Sequence, residues 1–211
     1  MAGTDCSALL RYLRSGDGVI DIGANQGVLT QRFAKAVGPT GKVFAVEPDP
    51  ATVAKLRAAV GDDAHVEIVE ALVDSGACQE RALYCDTVDR KRNSLWPANL
   101  LGPAASITVP CVTVDELSAR VPRLRGIKVD AQGAEMDILR GATRTLGMTA
   151  VLWMVEVWPF GLTSAGSSVR ELADTFAAAG YHPEGATWDR LCEEIAMYTG
   201  HRATDVVVAH G

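Results

Sequence analysis

The sequence predicts an α/β fold, a mostly parallel sheet with helices on both faces. Three observations carry that expectation. Short, near-continuous apolar runs recur along the chain, as strands buried on both faces require. Stretches with apolar residues three and four apart fall between them, as helices covering a sheet require. Gly, Pro and Asp stand at the joints, where helices start and stop.

The elements follow in order. Cys6, Leu9, Leu10 and Leu13 make one face of a first helix, stopped by Gly16. Val19-Ile20-Asp21-Ile22 is the first strand, followed by a glycine-bearing turn. Leu29, Phe33 and Val37 stripe the next helix, closed by Gly38-Pro39-Thr40-Gly41. Val43 to Val46 is strand two. Asp49 is placed to cap the following helix and Pro50 to occupy its first turn, with Val53, Leu56 and Val60 buried. Val66 to Val69 is strand three. Residues 76–122 lack a helical period and offer β-rich pieces at 82–85 and 107–112, around a polar loop with Asn93 and Ser94. With too few apolar residues for a core of its own, this stretch reads as an insertion within one domain spanning 1–211. Gly126 to Asp130 is strand four, Ile138, Leu139, Ala142 and Leu146 stripe a helix, and Val151 to Val157 is strand five, with Trp153 and Met154 in the core. Ser168 and Glu171 form a capping-box pattern before a helix ended by Gly180, and Asp205 to Ala209 is a last strand.

Composition narrows the function. The 20 Lys+Arg against 26 Asp+Glu leave a net charge of −6, a poor balance for a generic nucleic-acid binder. No apolar run reaches the roughly 18 residues of a membrane span, and the start has no cationic prelude to an apolar stretch. The five cysteines form no C-x-x-C pair, which favours free thiols, a reducing cytoplasm and no zinc site.

In such sheets ligands bind beyond the carboxyl ends of the strands. Asp21, Glu47, Glu70, Asp130 and Glu156 all end strands, so five acids converge on one edge and need donors or positive charge there. The turn Asp21-Ile-Gly23-Ala-Asn25-Gln-Gly27 lets the backbone pass close to a ligand. It fails the dinucleotide fingerprint at Asp21 and Gln26, and there is no G-K-[ST] phosphate loop. An Asp here suits a ligand with an ammonium group and little phosphate, and Glu47 stands where an acid accepts both ribose hydroxyls. Together they point to S-adenosylmethionine.

The sequence also resembles the FkbM-type methyltransferases. The likeness rests on Asp21 to Gly27 with Thr30, on Val46-Glu47-Pro48, and on Ile127-Lys128-Val129-Asp130-Ala-Gln132-Gly133-Ala-Glu135 with Leu139-Arg-Gly141-Ala142. Val112 to Leu117 and Asn93-Ser94-Leu95 agree as well. The resemblance implies a class I methyltransferase (Rossmann-like) fold with a seven-stranded sheet. It also implies methyl transfer from S-adenosylmethionine to a hydroxyl of a sugar or natural product. By that likeness Asp21, Gly23, Asn25 and Gly27 line the methionine end of the cofactor. Glu47 holds the ribose, and Glu70, Ala71 and Leu72 lie beside the adenine. Gln132 departs from the family's usual Glu.

Asp130 and Glu156, ending strands four and five, are then nearest the sulfonium and the acceptor. Asp130 is the first candidate for general base, Glu156 the second, and His201 an alternative; His182 reads as a solvated loop residue. A Mg²⁺ ion is the weaker reading, because no Asp-Asp or Asp-Asn pair follows strand five. Arg90-Lys91-Arg92, Ser94 and Trp96 suggest a lid or acceptor wall whose cations favour an anionic substrate. Trp158, Pro159 and Phe160 suggest an aromatic wall. The expected partner is a small hydroxylated molecule, with neither nucleic acid nor membrane. The competing classes are a nucleic-acid or protein methyltransferase, and a non-catalytic nucleotide- or cofactor-binding module or NAD-linked oxidoreductase.

Overall fold

The computed structural model describes residues 6–102, 104–200 and 202–211. The candidate base His201 lies outside the described residues. The central sheet is built from β1 (Gly18–Ile22), β2 (Lys42–Val46), β3 (Val66–Val69), β7 (Leu124–Val129), β8 (Leu152–Val157), β9 (Tyr181–Pro183) and β10 (Thr204–His210), in the order β3-β2-β1-β7-β8-β10-β9. The first five run parallel, and β10 is antiparallel to both of its neighbours. The order reverses between β1 and β7, so the crevice of an open α/β sheet opens at their carboxyl ends.

Side chains alternate between the two faces of a strand. Val19, Val43, Leu152 and Met154 point to one face, where Leu9 and Leu13 of the α1 region (Ser7–Tyr12) and Phe33 and Val37 of α2 (Val28–Val37) cover them. Ile20, Phe44, Ile127, Trp153 and Val155 point to the other. There they meet Ile138 and Leu139 of α5 (Glu135–Arg140) and Leu172 and Phe176 of α7 (Val169–Ala178). The helix α3 (Pro50–Val60) starts as its sequence dictates, with Asp49 accepting from the Ala51 N–H and Pro50 in the first turn.

The insertion folds as a small second sheet. Its strands β5 (Glu80–Asp86) and β6 (Ala104–Val112) pair, and β4 (Leu72–Val73), just before the insertion, joins them in the order β4-β6-β5. Leu83, Cys85, Leu95 and Val109 join the same apolar cluster as Ile127 and Trp153, so the insertion shares the main core. From β6 the chain enters α4 (Val114–Ser118), capped reciprocally by Thr113 and Glu116. The helix expected through Leu146 ends at Arg140. Gly141 follows, where a Cβ would stand 2.1 Å from the Asp74 carbonyl, and a short 3-10 turn places Leu146 in the core. Ser168 caps α7, while Glu171 pairs with Arg140 rather than closing the box. Strand β9 and the helices α6 (Pro159–Ser164) and α8 (Trp188–Ala196) were not expected from the sequence. Among the described residues no helix is long and apolar enough to cross a membrane.

Candidate active site

The turn after β1 is held by its neighbours on both sides. Gly23 and Ala24 donate to the Val46 carbonyl, and Asp130 donates its N–H to the Ile22 carbonyl. Gly23 has φ +71, and a Cβ there would sit 2.0 Å from the Asp130 carbonyl oxygen. Only glycine lets the β1 and β7 ends close this tightly. Asn25, at φ +50, donates its N–H to Glu47 Oε2 at 3.0 Å, and Asp49 donates to Glu47 Oε1 at 3.0 Å. Burial pushes the Glu47 carboxyl up to about 7, against the pull of those two N–H groups.

The positive charge that the acidic edge requires is Lys128. It is buried on β7, directly beside Asp21 in the register. Its Nζ donates to the Gly23 carbonyl at 2.8 Å and to the Ile22 carbonyl at 3.2 Å. Asp21 Oδ1 lies at 3.5 Å and Asp130 Oδ2 at 3.7 Å. Burial would lower the Lys128 pKa, but Asp130, Asp21 and Glu156 together raise it, so the ammonium stays charged. Asp21 is fully buried and also accepts from the Thr30 hydroxyl at 2.7 Å.

Asp130 and Glu156 are bridged by Gln132, whose Nε2 donates to Asp130 Oδ1 at 2.9 Å and to Glu156 Oε2 at 3.2 Å. Burial first, and the adjacent Asp130 second, push the Glu156 carboxyl well above the usual carboxylate range, up to about 9. Asp130 caps no helix. The turn into α5 is instead closed by Glu135, whose Oε1 accepts from the Ala131 and Gly133 N–H groups. Burial pushes Glu135 up to about 7. The insertion roofs this turn. Ser94 Oγ donates to the Gln132 carbonyl at 3.0 Å and Asn99 Nδ2 does so at 2.9 Å. Arg90 and Asn93 reach across to Asp49, Arg90 at 3.0 and 2.8 Å and Asn93 at 3.2 Å.

Between these parts lies a cleft of about 680 Å³, counting its open mouth. Gly23, Asn25 and Glu47 form one wall, Ala71, Leu72 and Val73 an apolar floor, Asp130 and Gln132 the far end, and Asn93 to Leu95 the roof. Of the residues expected at a cofactor, Gly23, Asn25, Glu47, Ala71 and Leu72 thus come together, and Asp130 joins them. Asp21 does not line the cleft; it is buried against Lys128 and Thr30. Gly27 stands at the start of α2 against Leu56. Glu70 turns outward to an ion pair with Arg57. Glu156 does not line the cleft itself and meets it through Gln132 and Asp130. His182 is exposed on β9. Sequence reasoning gave no role to Lys128, Glu135 or Asn99. Lys128 had a signal: an ammonium between Ile127 and Val129 in a buried strand must find charge partners.

Residues 21–183 match the sequence profile of the methyltransferase FkbM domain. No curated protein matches the chain. Among solved structures, the methyltransferase FkbM from Methylobacillus flagellatus KT is 13% identical with a TM-score of 0.53, over 92% of this chain and 43% of that one. Fibrillarin from Aeropyrum pernix, solved with natively bound S-adenosyl-L-methionine, is 16% identical with a TM-score of 0.53, over 96% and 73%. A SAM-dependent O-methyltransferase from Thermotoga maritima is 14% identical with a TM-score of 0.50, over 98% and 64%. These likenesses share one fold, the class I Rossmann-like sheet. The chain spans 43% of the length of the FkbM structure.

Proposed function

Because the chain belongs to the FkbM methyltransferase family, we propose that it transfers a methyl group from S-adenosylmethionine to a hydroxyl of a small molecule. The observation that carries this reading is the single cleft with Glu47 at one end, an apolar floor, and Asp130 at the other. That arrangement fits a nucleoside: a carboxylate for the ribose diol, and Ala71 and Leu72 for a flat base. When bound, S-adenosylmethionine supplies an electrophilic methyl carbon. The chain's own part is to hold the acceptor in line and receive its proton.

Asp130 is the group for that proton. Its side chain is 26% exposed and lines the cleft, within reach of an acceptor, whereas Glu156 lies outside that lining and burial favours its protonated form. Gln132 fixes the Asp130 carboxylate by its amide, and Lys128 balances the charge beneath. The net charge of −6 favours a small acceptor over a nucleic acid. Five free cysteines suit a reducing cytoplasm.

Calorimetric titration with S-adenosylmethionine and with NAD, followed by radiolabelled methyl transfer to hydroxylated small molecules and to RNA, tests the reading. Binding of S-adenosylmethionine alone and label in a small-molecule hydroxyl are expected. Asp130→Asn should keep cofactor affinity and lose at least about 100-fold in kcat. Binding of NAD instead, or label entering RNA, overturns the proposal.

A further inference from the structure

Gln132 has a positive φ, +51, in a region that side chains seldom enter. The insertion holds it there, since its backbone carbonyl accepts from Ser94 Oγ at 3.0 Å and from Asn99 Nδ2 at 2.9 Å. The side chain is held as firmly. Its Nε2 carries two hydrogens, and both are spent, on Asp130 Oδ1 at 2.9 Å and on Glu156 Oε2 at 3.2 Å. The amide cannot turn over, because Oε1 would then face the Asp130 carboxylate, lone pair against lone pair. Backbone and side chain are thus fixed before any substrate arrives.

The side chain's remaining polar atom is Oε1. It accepts no hydrogen bond among the described residues, and it is not sealed from solvent. Gln132 lines the cleft together with Asp130. The polar side chains of the roof beside it are already committed. Ser94 Oγ donates to the Gln132 carbonyl and accepts from the Trp96 N–H and from Asn99 Nδ2. Asn93 donates to Asp49 and accepts from the Asp86 N–H. Oε1 is therefore a fixed acceptor in the cleft wall, with its orientation set at no cost to a bound molecule.

Its distance from the base connects it to the reaction. The nitrogen and oxygen of one amide lie roughly 2.2 Å apart, so Oε1 stands within about 5 Å of Asp130 Oδ1. Two acceptors at that spacing match hydroxyls on neighbouring carbons, one donating to each. We infer that Gln132 Oε1 is a specificity-determining contact, accepting a hydrogen bond from a second hydroxyl beside the one that is methylated, so that the acceptor is a vicinal diol such as a sugar ring carries. This deepens the methyltransferase reading and rests on it. A Glu at this position, usual in the family, has no N–H to hold Asp130 and Glu156, so the locked acceptor belongs to this chain's Gln.

Side-chain amide NMR reads the contact directly. The Gln132 Nε2 resonances are identified by their absence in Gln132→Met. Methyl mannoside and methyl galactoside are titrated into the full chain, with and without S-adenosylhomocysteine. Each is paired with the form that lacks its middle ring hydroxyl and so has no vicinal pair. The intact glycosides should move the Gln132 resonances saturably and bind about fivefold more tightly than the deoxy forms. In Gln132→Met, with affinity read from the glycoside's own signals, that ratio should fall to about one. A residue that only steadied Asp130 would leave the ratio as it is. Gln132→Asn suits the left-handed backbone but is one methylene shorter, so it should lose the preference too and carries the test should Gln132→Met fail to fold. No saturable shift with either glycoside, equal affinity for intact and deoxy forms, or an unchanged ratio in the folded variants overturns the contact. S-adenosylmethionine titration on the same samples separates the two ideas. Cofactor binding without the diol preference sinks the contact alone, whereas a diol preference without cofactor binding sinks the methyltransferase reading.

Discussion

Glu47 illustrates how much one side chain does here. Its two oxygens hold the Asn25 and Asp49 N–H groups, which tie the β1–α2 turn to the start of α3. The remaining lone pairs face the cleft, where a ribose diol would find its acceptor. Replacing Glu47 with Ala removes a charge-assisted acceptor worth roughly 1.5–3 kcal/mol. Affinity for S-adenosylmethionine should therefore fall by about 10- to 150-fold in calorimetry, with circular dichroism unchanged. Unaltered affinity would remove Glu47 from the ribose. The residues legible at this scale are those with local causes. Gly23, Asn25 and Glu47 announce themselves through turn chemistry and strand ends. The roles of Lys128 and Gln132 depend on which strands are neighbours, and so needed the β1–β7 and β7–β8 registers.

At the scale of elements, Asp49 joins two jobs. It caps α3 through the Ala51 N–H and the Thr52 hydroxyl, and it anchors the insertion through Arg90 and Asn93. Burial would raise its pKa, but Arg90, Thr52 and the Ala51 N–H outweigh that and hold it below the usual range. Asp49→Ala loses a cap worth about 1 kcal/mol and the partner of Arg90 besides, so a loss of roughly 2–3 kcal/mol is expected. In a chain of this size that lowers Tm by about 4–12 °C. Arg90→Ala loosens only the insertion and should cost no more than about 1 kcal/mol, since Arg90 is half exposed. Equal losses in both variants would show that the cap contributes nothing. The same contrast explains what the sequence reveals of each element. The helix α3 declares itself within a few residues, through Asp49-Pro50 and its apolar stripe. The pairing of β5 with β6 joins Glu80 to Pro110, a contact no local pattern can specify. Helix α8 carries its stripe in only Trp188, Leu191 and Ile195, too sparse to stand apart from a loop, yet Trp188 stacks on Phe176 at 6.0 Å.

Over the whole molecule, the acids gathered at the cleft set the pH dependence of stability. Glu47 and Glu135 are raised from 4.5 to about 7 and Glu156 to about 9, each chiefly by burial. In the unfolded chain all three ionise near 4.5, so between that pH and 7 to 9 the folded state binds more protons. Stability must then fall as pH rises across this window, by up to about 1.4 kcal/mol per pH unit for each proton fully linked. The opposite sign belongs to Asp49, Asp86 and Asp115, whose pKa values are lowered from 3.8; their contribution is lost only as pH drops below that value. The two groups leave the ligand-free protein most stable at mildly acidic pH. Between pH 6 and pH 9 thermal unfolding should show a loss on the order of a few kcal/mol, or roughly 5–10 °C in Tm. Glu156 alone titrates in the upper part of that range, so Glu156→Gln should flatten the curve between pH 7 and 9 and leave the fall below 7 in place. A Tm that stays level or climbs from pH 6 to 9 would mean that these carboxyls are ionised in the folded chain. Lys128 would then have to balance Asp21, Asp130 and Glu156 all as anions, and Glu156 would compete with Asp130 for the acceptor's proton.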